Sequence, residues 1–312
     1  MKDFGGNWTE QKLDALIAYS KAYLKVFKNQ SWAETVYFDG FAGSGSAKIS
    51  TTDDNGLLQL VEESTPEEFN VYEGAARQIV KMEDANFDCH VLVDRDPANI
   101  QSLEKLRDES THLHPNQIMI MNKDCNEAIH FLVDLMKKNR NRRSLVFLDP
   151  FGMQINWDSI ESLKEVNYDK GGVDLWILVP TGVAINRLLP RDANNRVPGN
   201  EKKLEQYLGL PIEEIRDIFY RPGDEHWRER GQISLFDGFD DINIDEPLQK
   251  ISKPIEKIMD IYRQQLKKVW KHVTEEPLVL KNTRNTPIFH FVFASNNQTA
   301  IRIAKDVIDK RR

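Results

Sequence analysis

The stretch YFDGFAGSG, residues 37–45, closes the β-rich run Thr35-Val36-Tyr37-Phe38-Asp39 with a glycine-dense turn. β-Branched and aromatic side chains favour the extended run. Gly43 and Gly45 let the backbone turn sharply and come close to a ligand at the carboxyl end of the strand, the edge where doubly wound sheets bind nucleotides. The turn is not the dinucleotide fingerprint, because G-x-G-x-x-G breaks at Lys48, and G-x-x-x-x-G-K-[ST] is also absent. Taken alone, it also reads as a structural turn.

Around this turn the apolar periodicity alternates. Leu13, Leu16, Ile17, Leu24 and Phe27 form one helical stripe over residues 8–27. Strand-like runs follow at His90–Asp94, Gln117–Met121, Ser144–Asp149 and Val173–Val179, separated by helical patterns through Ile100, Leu103 and Leu106 and through Ala128, Ile129, Leu132, Leu135 and Met136. Strand then helix, repeated, predicts a parallel sheet. A helix over Pro254–Lys271, a strand over Pro287–Phe293 and a helix over Thr299–Lys310 complete the pattern. The predicted organisation is a core from residues 1–189 completed by 251–312. Residues 190–250 form an insertion, set off by Pro190, Pro198, Pro211, Pro222 and Pro247 and by the acidic FDGFDDINIDE, and read as a substrate-facing lid.

The 312 residues carry 42 Lys and Arg against 49 Asp and Glu, a net charge of −7, so any polyanionic partner must use a local patch rather than the field of the whole molecule. Cys89 and Cys125 are the only cysteines. They are too few for a disulfide framework and lack zinc-site spacing, which predicts a reducing, cytoplasmic setting. No stretch reaches the ~20 apolar residues of a membrane helix, so no membrane association is expected.

Three further segments carry chemistry. In LVDRDP, Asp94 ends the second strand, where a carboxylate accepts hydrogen bonds from both hydroxyls of a ribose. In MNKDC, Asp124 lies just past the third strand, placed to accept from an adenine amino group. Each aspartate also reads as a helix cap. In FLDPFG, residues 147–152, Asp149 and the Pro150 carbonyl are acceptors for an exocyclic amine, and the Phe151 ring offers a stacking face to a planar base.

Together these segments resemble the motifs of class I S-adenosylmethionine-dependent methyltransferases, the first being similar to their D-x-F-x-G-x-G variant. The chain as a whole resembles the three-Cys-motif partner protein family, through NWTEQKLDALIAYSKAYLKVF, YFDGFAGSG, LVDRDP, FLDPFGMQINW, ILVPTGVAINRLL and PIFHFVFAS. DPFG is also similar to the fourth motif of tRNA guanine-26 N2-dimethyltransferases. Where amino-methyltransferases usually carry D-P-P-Y or N-P-P-Y, Phe151 and Gly152 stand here.

The resemblance implies a Rossmann-like, doubly wound sheet of seven strands, the last antiparallel. It implies S-adenosylmethionine bound by Asp39, Gly40, Phe41, Ala42, Gly43, Ser44, Gly45, Asp94, Arg95, Asp124 and Cys125. Asp149, Pro150 and Phe151 would be catalytic, Gly152, Thr181 and Arg187 substrate-binding, and no metal is required. The implied acceptor is a nucleobase amine in RNA or DNA. The alternatives are a non-catalytic cofactor-binding subunit that partners a cysteine-motif protein, or a methyltransferase for small molecules or proteins. Asp94 lies 49 positions after Gly45, longer than a compact nucleotide-binding unit, so residues 49–72 are expected to be an inserted loop.

Two basic groups remain. Lys137, Lys138, Arg140, Arg142 and Arg143 precede the fourth strand and should lie at the amino edge, away from the site. Arg187, Arg191 and Arg196 follow the fifth strand and suit a polyanion or salt bridges to the acidic insertion. His112 and His114 lack a third metal ligand at diagnostic spacing.

Overall fold

The computed structural model describes residues 7–44, 74–83, 85–169, 171–222, 248–282 and 284–312. Helix α1 (Asn7–Phe27) leads to β1 (Glu34–Asp39), then α2 (Ala75–Val80) and β2 (Cys89–Asp94). The alternation continues through α3 (Pro97–Glu109), β3 (Ile118–Asn122), α4 (Cys125–Lys137), β4 (Arg142–Leu148), α5 (Trp157–Ser162) and β5 (Val173–Val179). After a π-helical turn at Thr181–Ile185 come α6 (Pro198–Leu208), α7 (Ile212–Phe219) and the short strands β6 (Tyr220–Pro222) and β7 (Leu248–Lys250). The chain ends with α8 (Pro254–Leu266), β8 (His272–Val273), β9 (Leu278–Lys281), β10 (Pro287–Ser295) and α9 (Gln298–Asp309).

Among the described residues the main sheet has eight strands, in the order β3-β2-β1-β4-β5-β10, with β8 and β9 both on the outer edge of β10. Strands β1 to β5 run parallel and β10 is antiparallel to β5. The expected antiparallel final strand is present. The count of seven is corrected to eight because the outer edge is broken in two: Thr274, Glu275, Glu276 and Pro277 separate β8 from β9, and Pro277 has no N–H to give to a ladder.

Side chains alternate between two apolar layers. Val36, Phe38, Val146, Leu148, Leu175 and Ile177 face α4, α5, α6, α7 and α8, while Tyr37, Leu145, Phe147, Trp176, Phe291 and Phe293 face α1, α2, α3 and α9. The result is a three-layer α/β/α architecture of the Rossmann-like kind. Leu204, Tyr207, Leu208, Ile215 and Phe219 of the expected insertion lie in the same cluster as β4 and β5, so this part belongs to the core layer. FDGFDDINIDE, on which the lid expectation rests, and the expected loop at 49–72 lie outside the described residues.

Candidate functional site

The chain runs outward from β1 to β3 and then returns to β4 on the other side of β1. The carboxyl ends of β1 and β4 are therefore the topological switch point, the crevice where open α/β sheets hold ligands. Asp39 ends β1 there. It is fully buried; Phe41 N donates to Oδ1 at 3.1 Å and the Tyr37 hydroxyl to Oδ2 at 3.0 Å. Burial pushes its carboxyl up to about 7, and the neighbouring Asp149 adds to the shift while Lys12 opposes it. Asp39 thus shapes the turn from beneath instead of lining open surface. Gly40 N donates to Phe147 O at 3.0 Å and Ala42 N to Val93 O at 2.9 Å, which stitches the turn to both neighbouring strands.

Gly43 takes φ +60°, the left-handed conformation, and a β-carbon there would meet nothing within 4 Å among the described residues. The turn is open on that side. Its N–H donates to Asp94 Oδ2 at 3.0 Å, joining the β1 turn to the end of β2. Asp94 Oδ1 accepts from Asp96 N at 2.7 Å and from Asn99 Nδ2 at 3.1 Å. A carboxylate has about four acceptor positions, so among the described residues Oδ2 keeps one acceptor position. Asp124 caps α4, its Oδ1 accepting from Asn126 N at 2.9 Å, while Oδ2 lies 3.5 Å from the exposed Arg95. Both of its anticipated roles, cap and site carboxylate, are compatible with this place. Phe41, Ala42 and Ser44 accompany the turn; Gly45 lies outside the described residues. Cys125 is buried directly behind Gly40, and burial pushes its thiol well above the usual range, so it is a packing residue and not a contact on the open side.

Just past β4, Asp149 accepts a hydrogen bond from Lys12 Nζ at 2.5 Å. Lys12 is buried on α1, and its ammonium also lies 5.4 Å from the Trp8 ring centroid. Next to this pair Phe151 is 67% exposed, although apolar, while Gly152 is buried. An acceptor held beside a lysine, with an exposed aromatic ring two residues on, suits a planar ligand carrying an amine.

Lys12 is the functional candidate missing from the sequence reading. The signal was present: Trp8, Lys12, Ala15, Leu16, Tyr19 and Tyr23 follow i, i+3/i+4 spacing, and Lys12 is a charge on that otherwise apolar stripe.

Thr181 does not line the crevice. It is fully buried, and its hydroxyl lies 2.8 Å from His290 Nδ1, whose imidazole burial pulls down to about 4. Its expected substrate contact is corrected to a core hydrogen bond. Arg187 is exposed just past the π-helical turn, on the carboxyl side of β5. Trp157 packs edge-on to Tyr262 and under Gly209, within the core.

The basic cluster at the start of β4 is held by intramolecular partners at the amino edge. Lys137 pairs with Glu165, Arg142 with Glu34, and Arg140 and Arg143 lie over Tyr168 and Trp32. Arg196 pairs with Glu201 at 3.6 Å. His112 Nε2 lies 2.9 Å from Val80 O, and His114 caps the turn that begins at Pro115.

No protein-family model and no curated protein matches the chain. Solved structures that resemble it include protein LPL1258 from Legionella pneumophila str. Philadelphia 1, of family-model DUF519, with 14% identity over 65% of this chain and 75% of that one at a TM-score of 0.35. A conserved hypothetical protein of Streptococcus pyogenes has 19% identity over 54% of this chain and 79% of that one, at a TM-score of 0.30. The functional reading therefore rests on the site itself.

Proposed function

We propose that the chain is a cytoplasmic S-adenosylmethionine-dependent methyltransferase of the three-Cys-motif partner type, acting on an exocyclic amine of a nucleobase in RNA or DNA. The observation that carries the reading is the gathering of Asp39, Asp94, Asp124 and Asp149 at the ends of four adjacent strands around the switch point, with the Gly43 N–H tied to Asp94. In this reading Asp94 accepts from a ribose, Asp124 and Arg95 flank an adenine, and the open side of Gly43 admits the methionine part. S-adenosylmethionine supplies an electrophilic methyl group. Asp149 and the Pro150 carbonyl accept the N–H bonds of the amine, orienting its lone pair and balancing the positive charge that develops on nitrogen. Lys12 holds the Asp149 carboxylate in place for that task. The Phe151 ring stacks on the base, which must be single-stranded or flipped out to reach it.

A calorimetric titration of S-adenosylmethionine, with Asp94→Ala and Gly43→Val alongside, tests the cofactor assignment. Binding lost in both variants supports it, and no heat with the unaltered chain overturns it. Transfer of labelled methyl to tRNA or single-stranded DNA, abolished by Asp149→Ala with cofactor affinity kept, tests the chemistry.

A second reading is a cofactor-binding subunit without turnover. It is favoured by the Lys12–Asp149 contact, which already occupies the carboxylate that an amine would need. Cofactor binding without transfer to any of these acceptors is its expected signature.

A further inference from the structure

Lys28, Lys137, Lys138, Arg140, Arg142 and Arg143 gather at the amino edge of the sheet, where β1 and β5 begin on either side of β4. Two of them are answered by neighbours. Lys137 pairs with Glu165 and lies in the field of Asp134, and Arg142 pairs with Glu34. Two further carboxylates at this edge are engaged elsewhere, Asp88 accepting from Thr35 and Asp169 pairing with Lys271. Lys28, Lys138, Arg140 and Arg143 have no carboxylate partner among the described residues.

A lysine at a helix C-terminus answers the dipole of its own helix, so Lys28 and Lys138 alone mark nothing. What sets this edge apart is the pair of rings beside the arginines. Trp32 is 48% exposed, with the Arg143 guanidinium 4.7 Å from its ring centroid. Tyr168 is half-buried, with the Arg140 guanidinium 5.1 Å from its ring centroid. Arg143 Nη1 donates to Arg140 O at 2.8 Å, which ties the two ring–guanidinium pairs together. Trp32 precedes β1, the arginines stand at β4 and Tyr168 precedes β5, so the row crosses three adjacent strands. The turn that carries Trp32 is fixed by its backbone, Gln30 N donating to Phe27 O and Ala33 N to Gln30 O.

Aromatic and guanidinium planes side by side suit flat π-systems joined by negative charge, the chemistry of a single-stranded nucleic acid. A duplex keeps its bases stacked on each other, and an acidic peptide brings charge without planar faces. We propose that this amino-edge row binds single-stranded nucleic acid, its bases stacking on Trp32 and Tyr168 and its phosphates meeting Arg140, Lys28 and Lys138. The proposal does not rest on the methyltransferase reading, because the row and the switch-point crevice occupy opposite edges of the sheet.

Fluorescence anisotropy of a labelled oligothymidylate of about twelve nucleotides, within the usual range of single-strand sites, tests it on the full chain at low salt. Saturable binding is expected, weakening as salt rises. It should be weaker by about fivefold or more in Trp32→Ala and in Arg140→Ala. Both side chains are exposed, and either variant alone decides if the other fails to fold. A strand of the same length without bases, a duplex and poly-glutamate should each bind more weakly by a similar factor. Absence of saturation by the oligothymidylate overturns the proposal. So does affinity indifferent to both substitutions, and loss of that binding in Arg187→Ala would then place the strand at the carboxyl edge. Equal affinity for the strand without bases or for poly-glutamate overturns it as well, the second by making the row a surface for acidic protein.

Discussion

Lys12 and Asp149 have side chains 6% and 24% exposed, a partly buried pair in which each charge depends on the other. Removing one partner leaves the second desolvated and uncompensated, at about 1–3 kcal/mol for a pair not fully enclosed. Lys12→Met alone should lower the unfolding free energy by that amount, and adding Asp149→Asn should restore part of it. A double-mutant cycle by urea unfolding measures the coupling, and additivity would mean that the contact contributes nothing. Asp39 provides a second test. Its carboxyl, at about 7, lies above the ordinary 3.8, so the folded chain holds that proton more tightly than the unfolded one. The resulting stabilisation is full below about pH 4 and is lost as pH rises through 7. His90 and His290, pulled down to about 4 by burial, act oppositely: their contribution is present above 6.5 and lost on acidification. Comparing Asp39→Asn with the unaltered chain cancels the histidines. The melting-temperature difference, variant minus unaltered chain, should rise by several degrees between pH 5 and pH 8, and a flat difference would mean that Asp39 ionises normally. The aspartates were legible because Asp39, Asp94 and Asp149 each end an apolar run and Asp124 follows one closely. Lys12 was not, because charges are assigned by default to the solvated side of a helix.

Among the elements, the β1 turn separates two kinds of glycine requirement. At Gly40 a β-carbon would lie 2.6 Å from Cys125 Sγ and 2.7 Å from Leu148 Cδ2, so Gly40→Ala overpacks the interface of the turn with α4 and β4 at about 1–3 kcal/mol. At Gly43 no described residue crowds a β-carbon and the positive φ resists substitution, at about 1–2 kcal/mol. Denaturant unfolding in a Cys125→Ala background distinguishes them. The Gly40→Ala deficit should shrink, since one of its two clashes is gone, while the Gly43→Ala deficit should stay the same. Equal behaviour of the two would refute the packing account. Element legibility followed length and continuity: Val173–Val179 was read with its observed limits because every residue is apolar or β-prone apart from Asp174, and all seven are buried. The two residues of β8 and four of β9 are too short to display a period; their identity comes from pairing with β10, a long-range fact. The prolines of residues 190–250 were read as linker punctuation, whereas Pro198 sits in the first turn of α6 and Pro211 immediately precedes α7. Prolines at such positions start helices, and these helices pack into the core.

At the scale of the whole molecule, α1 reaches both edges of the sheet. Its first turns bring Lys12 to Asp149 at the carboxyl edge, and its last turns bring Tyr23 to the amino edge, beside the starts of β4 and β5. Between them Leu13, Leu16, Tyr19, Tyr23 and Leu24 are buried, Tyr19 lies 5.6 Å from Trp176 and 4.7 Å from Phe293 by ring centroid, and Arg311 from just beyond α9 donates to Asp14 O at 2.8 Å. Burying five such side chains is worth about 10 kcal/mol as an upper estimate. The whole net stability of a domain is only about 5–15 kcal/mol. A chain beginning at Lys28 would also expose Trp176 and Phe293 on the face that α1 covers. It should therefore lose its cooperative thermal transition by calorimetry and its near-ultraviolet dichroism, and not merely melt a few degrees lower. A truncated chain that still melts cooperatively would show that the sheet closes without the helix. The burial of Lys12 against Asp149 would then be a feature of the site alone and no by-product of packing the fold.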